Sequence, residues 1–202
     1  METPHGQATV TLDLPDGEPT ALLVLGHGAG GDVTAPDLVA VTDAAVQVGL
    51  AVARMTQPYR VAGRRAPPRA PILDAAWLAV VTRLRDQHAG LPLVVGGRSS
   101  GARVACRTAT ELGAVAVVAL AFPTRPPRTP DRDRLDELAR PRVPVLVVQG
   151  ERDAFGVPPT AARRTVVVLP GATHALRGPA AHAAAEAAAG WLATRLRRRR
   201  RG

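Results

Sequence analysis

The sequence predicts an α/β fold: a mostly parallel sheet of about six or seven strands with helices on both faces. Three observations carry this prediction. Short β-type runs alternate along the chain with longer stretches of helical spacing, and a β-α-β order with short links builds a parallel sheet. Most of the β-type runs are continuously apolar rather than alternating, as strands covered on both faces must be. Hydrophobic residues make up 46% and charged residues 21% of the 202 positions, a balance that fills one core and excludes wholesale disorder. A chain of this length suits a single domain of ~100–200 residues, expected over residues 1–196.

The expected strands are Ala8–Leu14, Ala21–Leu25, Leu50–Met55, Leu91–Gly96, Ala114–Ala121, Val143–Gln149 and Thr165–Leu169. Ala8–Leu14 alternates and reads as an edge strand. Between them, Pro36–Val48 opens with a proline in its first turn. Ile72–His88 carries Trp77, Leu78, Val81 and Leu84 at helical spacing and is closed by Gly90. Ser100–Leu112 ends at Gly113, Asp131–Ala139 is short and charged, Pro158–Arg164 allows a turn or two of helix, and Pro179–Arg197 is rich in alanine. Right-handed crossovers place such helices on both faces. Gln57–Pro71 and Pro123–Pro130 read as loops, and residues 197–202 as a disordered arginine-rich tail.

Several function classes are disfavoured. The lone cysteine, Cys106, rules out an intramolecular disulfide framework and a multi-cysteine zinc site. Only Tyr59, Trp77, Phe122, Phe155 and Trp191 are aromatic, too few for the stacking platforms of single-strand nucleic-acid binding. All 26 basic residues are arginine and the net charge is +9. A composition this rich in Ala, Val, Gly, Pro and Arg fits GC-rich coding, so the arginines say little about partners. Arg197–Arg201 supplies more than half of the net charge, and a basic tail binds polyanions without specificity. No apolar run approaches the ~20 residues of a membrane span. The N-terminus lacks a basic flank and an apolar signal core, so a cytoplasmic protein is expected, with no membrane association and no specific nucleic acid.

In an open parallel sheet, ligands sit outside the carboxyl ends of the strands. The residues after the fourth run are Gly97-Arg98-Ser99-Ser100-Gly101, a G-x-S-x-G between a buried strand and a helix. That is the setting of a nucleophile elbow, where the serine sits on a strained turn and flanking glycines let strand and helix approach. The chain contains only two serines, Ser99 and Ser100, and chance would produce the motif only ~0.02 times. A serine hydroxyl needs a base, and the base needs an orienting acid. Asp153 follows the sixth run and His174 the seventh; the order Ser, Asp, His is the one that goes with such an elbow. His182 is a rival base but lies inside the last helix. His88 sits at a helix end, and His174 has a purely structural alternative. Glu151 and Arg152 also fit a plain surface pair.

An oxyanion hole would take one amide from Ser100 and one from the turn after Ala21–Leu25, Gly26-His27-Gly28-Ala29-Gly30-Gly31. Ala29 is the favoured second donor and Gly28 the next. The same stretch reads as G-x-G-x-x-G, so a dinucleotide site is a rival. Such a site places an acid at the end of the next strand, and Arg54-Met55-Thr56-Gln57 holds none.

These residues resemble the α/β-hydrolase superfamily from about Ala21 to Leu196, and most nearly a small, lidless, dienelactone-hydrolase-like subgroup. The likeness rests on His27-Gly28-Ala29-Gly30, Pro58-Tyr59 with Gly63-Arg64-Arg65 and Pro67, Gly96-Gly97-Arg98-Ser99, Gly150-Glu151-Arg152-Asp153-Ala154-Phe155-Gly156 and Gly171-Ala172-Thr173-His174. Dienelactone hydrolases themselves use cysteine where this chain has Ser99; Cys106 falls in the following helix and reads as core. The space between Ala121 and Val143 is too short for a lid domain. The resemblance implies a serine hydrolase of small acyl esters, with Ser99 as nucleophile, His174 as base and Asp153 as its orienting acid. Ala29 and Ser100 would form the oxyanion hole, with His27, Gly28, Tyr59 and Arg98 lining the substrate site. Neither a metal nor an organic cofactor is called for. Because the subgroup also resembles a scaffold subunit of a histone-acetyltransferase complex, a non-catalytic binding module is the alternative. Arg60, Arg64, Arg65 and Arg69 allow an acidic substrate or an ordinary solvated loop. Oligomeric state is not written in the sequence.

Overall fold

The computed structural model describes residues 1–125 and 133–200. Among these, seven strands form one sheet in the order β3-β5-β4-β6-β7-β8-β9. They are β3 (Thr9–Asp13), β4 (Leu22–Gly26), β5 (Ala51–Thr56), β6 (Leu93–Arg98), β7 (Ala116–Leu120), β8 (Val145–Gly150) and β9 (Arg164–Leu169). β3 pairs antiparallel with β5 at the edge, and every other pairing is parallel. Each of the seven runs read from the sequence is one of these strands, shifted by a residue or two.

Strand periodicity sorts the core into two layers. Leu22, Val24, Val95, Val117, Ala119, Val145 and Val147 point to one face, where α3 (Ala70–Gln87), α4 (Ser100–Thr108) and α5 (Leu135–Ala139) cover them with Trp77, Ala105 and Leu138. Leu23, Leu25, Val94, Val118, Leu120, Leu146 and Val148 point to the other, under α1 (Pro36–Gln47) and α6 (Pro179–Arg200). Ala184, Ala188 and Leu192 put the small-residue stripe of α6 on the sheet. Burying both faces explains the continuous apolar runs. β7 leads through Ala121–Arg125, and α5 leads back to β8; among the described residues no lid domain is inserted there.

Several details depart from the sequence reading. An N-terminal ribbon of β1 (Glu2–Thr3) and β2 (Gly6–Gln7) is too short to show periodicity. The Gln57–Pro71 loop contains a helical turn, α2 (Pro58–Val61), whose proline occupies the first-turn position that should have signalled it. α4 stops at Thr108, where the threonine hydroxyl bonds back to the Val104 carbonyl. Pro158–Arg164 forms no helix, since paired prolines disfavour the α region before them; Ala161 instead bridges to Arg164. α6 runs on to Arg200, past the expected end of the ordered chain at Leu196, because arginine is a good helix former. Of the loop expected at Pro123–Pro130 and the helix at Asp131–Ala139, residues 126–132 lie outside the described residues. Among the described residues no helix is long and apolar enough to cross a membrane.

Candidate active site

The carboxyl ends of β4, β6, β8 and β9 bring the three sequence-nominated side chains together. Ser99 follows β6 with φ 52° and ψ −110°, a left-handed conformation in a non-glycine residue. Its amide is tied to the Leu120 carbonyl of β7 at 2.9 Å. The strain persists because β4 lies directly against the turn: Gly26 pairs with Gly97, and a Cβ on Gly97 or Gly101 would collide with the Gly26 carbonyl. This close approach explains both flanking glycines of the motif.

Asp153 is set by the turn after β8, its carboxylate fully buried. Oδ1 accepts the Phe155 amide at 2.8 Å. Oδ2 accepts the Gln149 side-chain amide at 2.7 Å and meets Nδ1 of His174 at 2.8 Å. Because an ionised carboxylate only accepts, Nδ1 carries the proton, which leaves Nε2 as an acceptor. Nε2 stands 3.0 Å from the Ser99 hydroxyl. The Phe155 ring meets the imidazole edge-on, 4.4 Å between centroids. The result is a continuous line from a buried carboxylate through a partly exposed imidazole to a hydroxyl on a strained turn. Such a line can move the hydroxyl proton to the imidazole and stabilise the cation that results.

The turn after β4 is held from two sides. The buried His27 accepts the Gln57 amide on Nε2 at 3.0 Å, so its Nδ1–H donates to the Gly28 carbonyl at 2.8 Å. Burial pushes the His27 imidazole below its ordinary value, with Arg60 adding to this and the Gly28 carbonyl and Asp32 opposing it. The Tyr59 hydroxyl donates to the Ala29 carbonyl at 2.6 Å, and burial pushes that phenol up to about 12. Gly28 lies beside Ser99, whose Cβ is 3.6 Å from where a Gly28 Cβ would sit. Ser100 opens α4, and the first amides of a helix lack intrahelical acceptors and point outward.

Three of the four residues nominated to line the substrate site are turned to other work. His27 and Tyr59 are buried and spend their polar atoms on the Gln57 amide and on the Gly28 and Ala29 carbonyls. Arg98 donates from Nε to Asp37 Oδ2 and from Nη2 to the His174 carbonyl, both at 2.7 Å. An arginine fork finds internal acceptors when a buried carboxylate lies in reach, and Asp37 is fully buried. Gly28 lies beside the serine. His182 is exposed on α6 and bonds to the Gly178 carbonyl. Cys106 is buried in α4, and burial raises its thiol to about 12, which makes it inert. A cavity of about 350 Å³ opens beside Gln57, Tyr59, Arg64 and Ile72. A larger groove of about 650 Å³ runs between α1 and α6 and is lined by none of Ser99, Asp153 and His174.

The sequence reading passed over Gln149 and Asp37. Gln149 had a signal, an amide closing the otherwise apolar β8. Asp37 resembles any acid in a helix first turn.

The family described as alpha/beta hydrolase domain matches residues 19–185. The chain belongs to that family. Solved α/β-hydrolase structures superpose over nearly the whole chain. Est1E from Butyrivibrio proteoclasticus is 18% identical, with a TM-score of 0.78 over 97% of this chain and 97% of that one. XC6422 from Xanthomonas campestris, an α/β serine hydrolase without a lid, is 22% identical, with a TM-score of 0.72 over 97% and 91%. A dienelactone hydrolase from Anabaena variabilis is 22% identical, with a TM-score of 0.74 over 95% and 93%. At these identities the likeness establishes the α/β-hydrolase fold. A search of curated proteins finds no match.

Proposed function

We propose that this α/β hydrolase is a carboxylesterase-like serine hydrolase of small acyl esters. The observation that carries this reading is the hydrogen-bonded line Asp153–His174–Ser99, with contacts of 2.8 and 3.0 Å, ending on a serine in a strained left-handed turn. Ser99 Oγ attacks the acyl carbon as its proton passes to His174 Nε2. A tetrahedral intermediate forms, and its oxyanion is held by the amides of Ser100 and Ala29. His174 then protonates the departing alkoxide, leaving an acyl-serine. Water, deprotonated by His174, attacks that ester; collapse releases the carboxylic acid and returns the proton to Ser99. Asp153 stays ionised throughout, holding the Nδ1–H tautomer and offsetting the imidazolium charge. The chain resembles esterases in fold, and with no lid domain among the described residues its cleft suits short acyl groups. A cytoplasmic location and a small-molecule acyl partner go with this reading.

The test is turnover of a short p-nitrophenyl ester by wild type and by Ser99→Ala, with circular dichroism to confirm that the variant is folded. Turnover should vanish in the variant, and a fluorophosphonate probe should label wild type at Ser99 only. Wild-type turnover by the variant would refute the nucleophile. Folded wild type that neither labels nor turns over would favour the binding-module reading.

A further inference from the structure

Arg98 sits beside the nucleophile, yet the reaction above gives it no task. Its side chain leaves the end of β6 one residue before Ser99 and crosses to two other elements. Nε meets Asp37 in the first turn of α1, and Nη2 meets the backbone carbonyl of His174, both at 2.7 Å. The remaining nitrogen lies against the Gly26–Gly31 turn, 3.1 Å from where a Cβ on Gly28 would be. The guanidinium thus touches the anchor of α1, the loop of the base and the turn beside the serine at once.

The Asp37 carboxylate is fully buried, and the Arg98 side chain is 15% exposed. Oδ1 of Asp37 accepts the Leu38 amide at 3.0 Å while Oδ2 accepts the arginine, so both carboxylate oxygens are held. Buried pairs of this kind are poor sources of stability, because apolar residues of similar size often serve the fold as well. What they supply is geometry. The His174 loop needs it: Gly171, Leu176 and Gly178 all have positive φ, and Arg98 grips this bent segment near its middle. We propose that Arg98 is a positioning residue, anchored on Asp37, that holds the His174 backbone at the distance from which the imidazole reaches Ser99. This rests on the hydrolase reading above. Nucleophile and base loop are then spaced by one side chain that starts next to the nucleophile. The planar fork is required, since an ammonium is a point charge and cannot span both acceptors with the same geometry.

The experiment compares wild type, Arg98→Lys, and the double variant Arg98→Met with Asp37→Leu. The double variant removes both charges together and so leaves none buried alone. Melting temperature, kcat and KM on a short p-nitrophenyl ester, and the low-field Nδ1–H proton resonance of His174 (assigned with His174→Asn) are measured. The double variant should melt within a few degrees of wild type while kcat falls ~10–100-fold, the scale of a misplacement near 1 Å, with KM little changed and the resonance broadened or lost. Arg98→Lys should fall between the two. Wild-type kcat and resonance in the double variant would overturn the proposal. So would collapse of the fold, which would make the pair a stability element instead. If wild type shows the resonance but no Ser99-dependent turnover, the hydrolase reading fails, and the resonance alone decides whether Arg98 sets the His174 loop.

Discussion

Gln149 donates its side-chain amide to Asp153 Oδ2 at 2.7 Å, the same oxygen that meets His174 Nδ1. The Gln149 amide nitrogen also lies 3.2 Å from the Phe122 carbonyl and 2.9 Å from that of Gly156. A fully buried amide thus fixes the carboxylate against the two loops that flank it. Gln149→Leu keeps the volume but removes the donor, leaving a buried carboxylate short of a partner at a cost of about 1–3 kcal/mol. We expect a lower denaturation midpoint and at least a tenfold loss of kcat on a short ester. Unchanged kcat with a lowered midpoint would show that Asp153 keeps its place without the amide.

Tyr59 and Ala29 are linked by a 2.6 Å hydrogen bond. Tyr59→Phe keeps the ring that packs near His27 and deletes this bond alone, a loss of about 1 kcal/mol for a neutral pair. If the Ala29 amide holds the oxyanion, the freed turn should lower kcat several-fold while KM barely moves. Equal falls in kcat for Tyr59→Phe and Tyr59→Leu would confirm that the hydroxyl rather than the ring matters. A Tyr59→Phe enzyme as fast as wild type would remove Tyr59 from the machinery.

These two residues also show where sequence reading succeeds and where it stops. Ser99, Asp153 and His174 were legible because each follows an apolar run, and a parallel sheet must place such ends on one edge. The fold was legible for the same reason: strands buried on both faces have no polar face to confuse the pattern. The direction in which a polar side chain turns is a different matter. His27, Tyr59 and Arg98 stand at the right edge, but whether they face the cleft or the protein depends on hydrogen-bond partners supplied by distant segments: the Gln57 amide as donor, and the Ala29 carbonyl, the Asp37 carboxylate and the His174 carbonyl as acceptors. No local spacing encodes those partners. Helix ends fail likewise, since the ends of α4 and α6 turn on fractions of a kcal/mol of propensity.

Arg103 and Arg107 of α4 converge on Glu137 of α5, and Arg107 also forms a two-pronged pair with Asp74 of α3. Burial alone would raise the Glu137 carboxyl, but the two arginines outweigh it and hold it below its usual range. A carboxyl depressed in the folded state contributes stability above its unfolded value, about 4.3. That contribution disappears as pH falls through the lower folded value. Glu137→Gln should therefore cost about 1–3 kcal/mol at neutral pH and show a shallower acid-side fall than wild type in urea titrations. Parallel acid limbs would mean that the carboxylate is not the titrating element.

His27 makes the opposite demand on a base: it must stay neutral. Its Nε2 accepts the Gln57 amide, and a proton there would face that N–H with nothing to accept it. Burial, the largest influence, accordingly lowers its pKa. The unfolded imidazole takes its proton near 6.5, so between that value and the lower folded one the unfolded state binds more protons. Stability contributed by neutral His27 is then complete above about 6.5 and declines as pH falls through the folded value. His27→Gln cannot titrate, so its melting temperature should fall less than that of wild type from about pH 7 to pH 5. Melting curves that shift in parallel for the two proteins would show that the His27 imidazole is not the group behind the acid-side loss of stability.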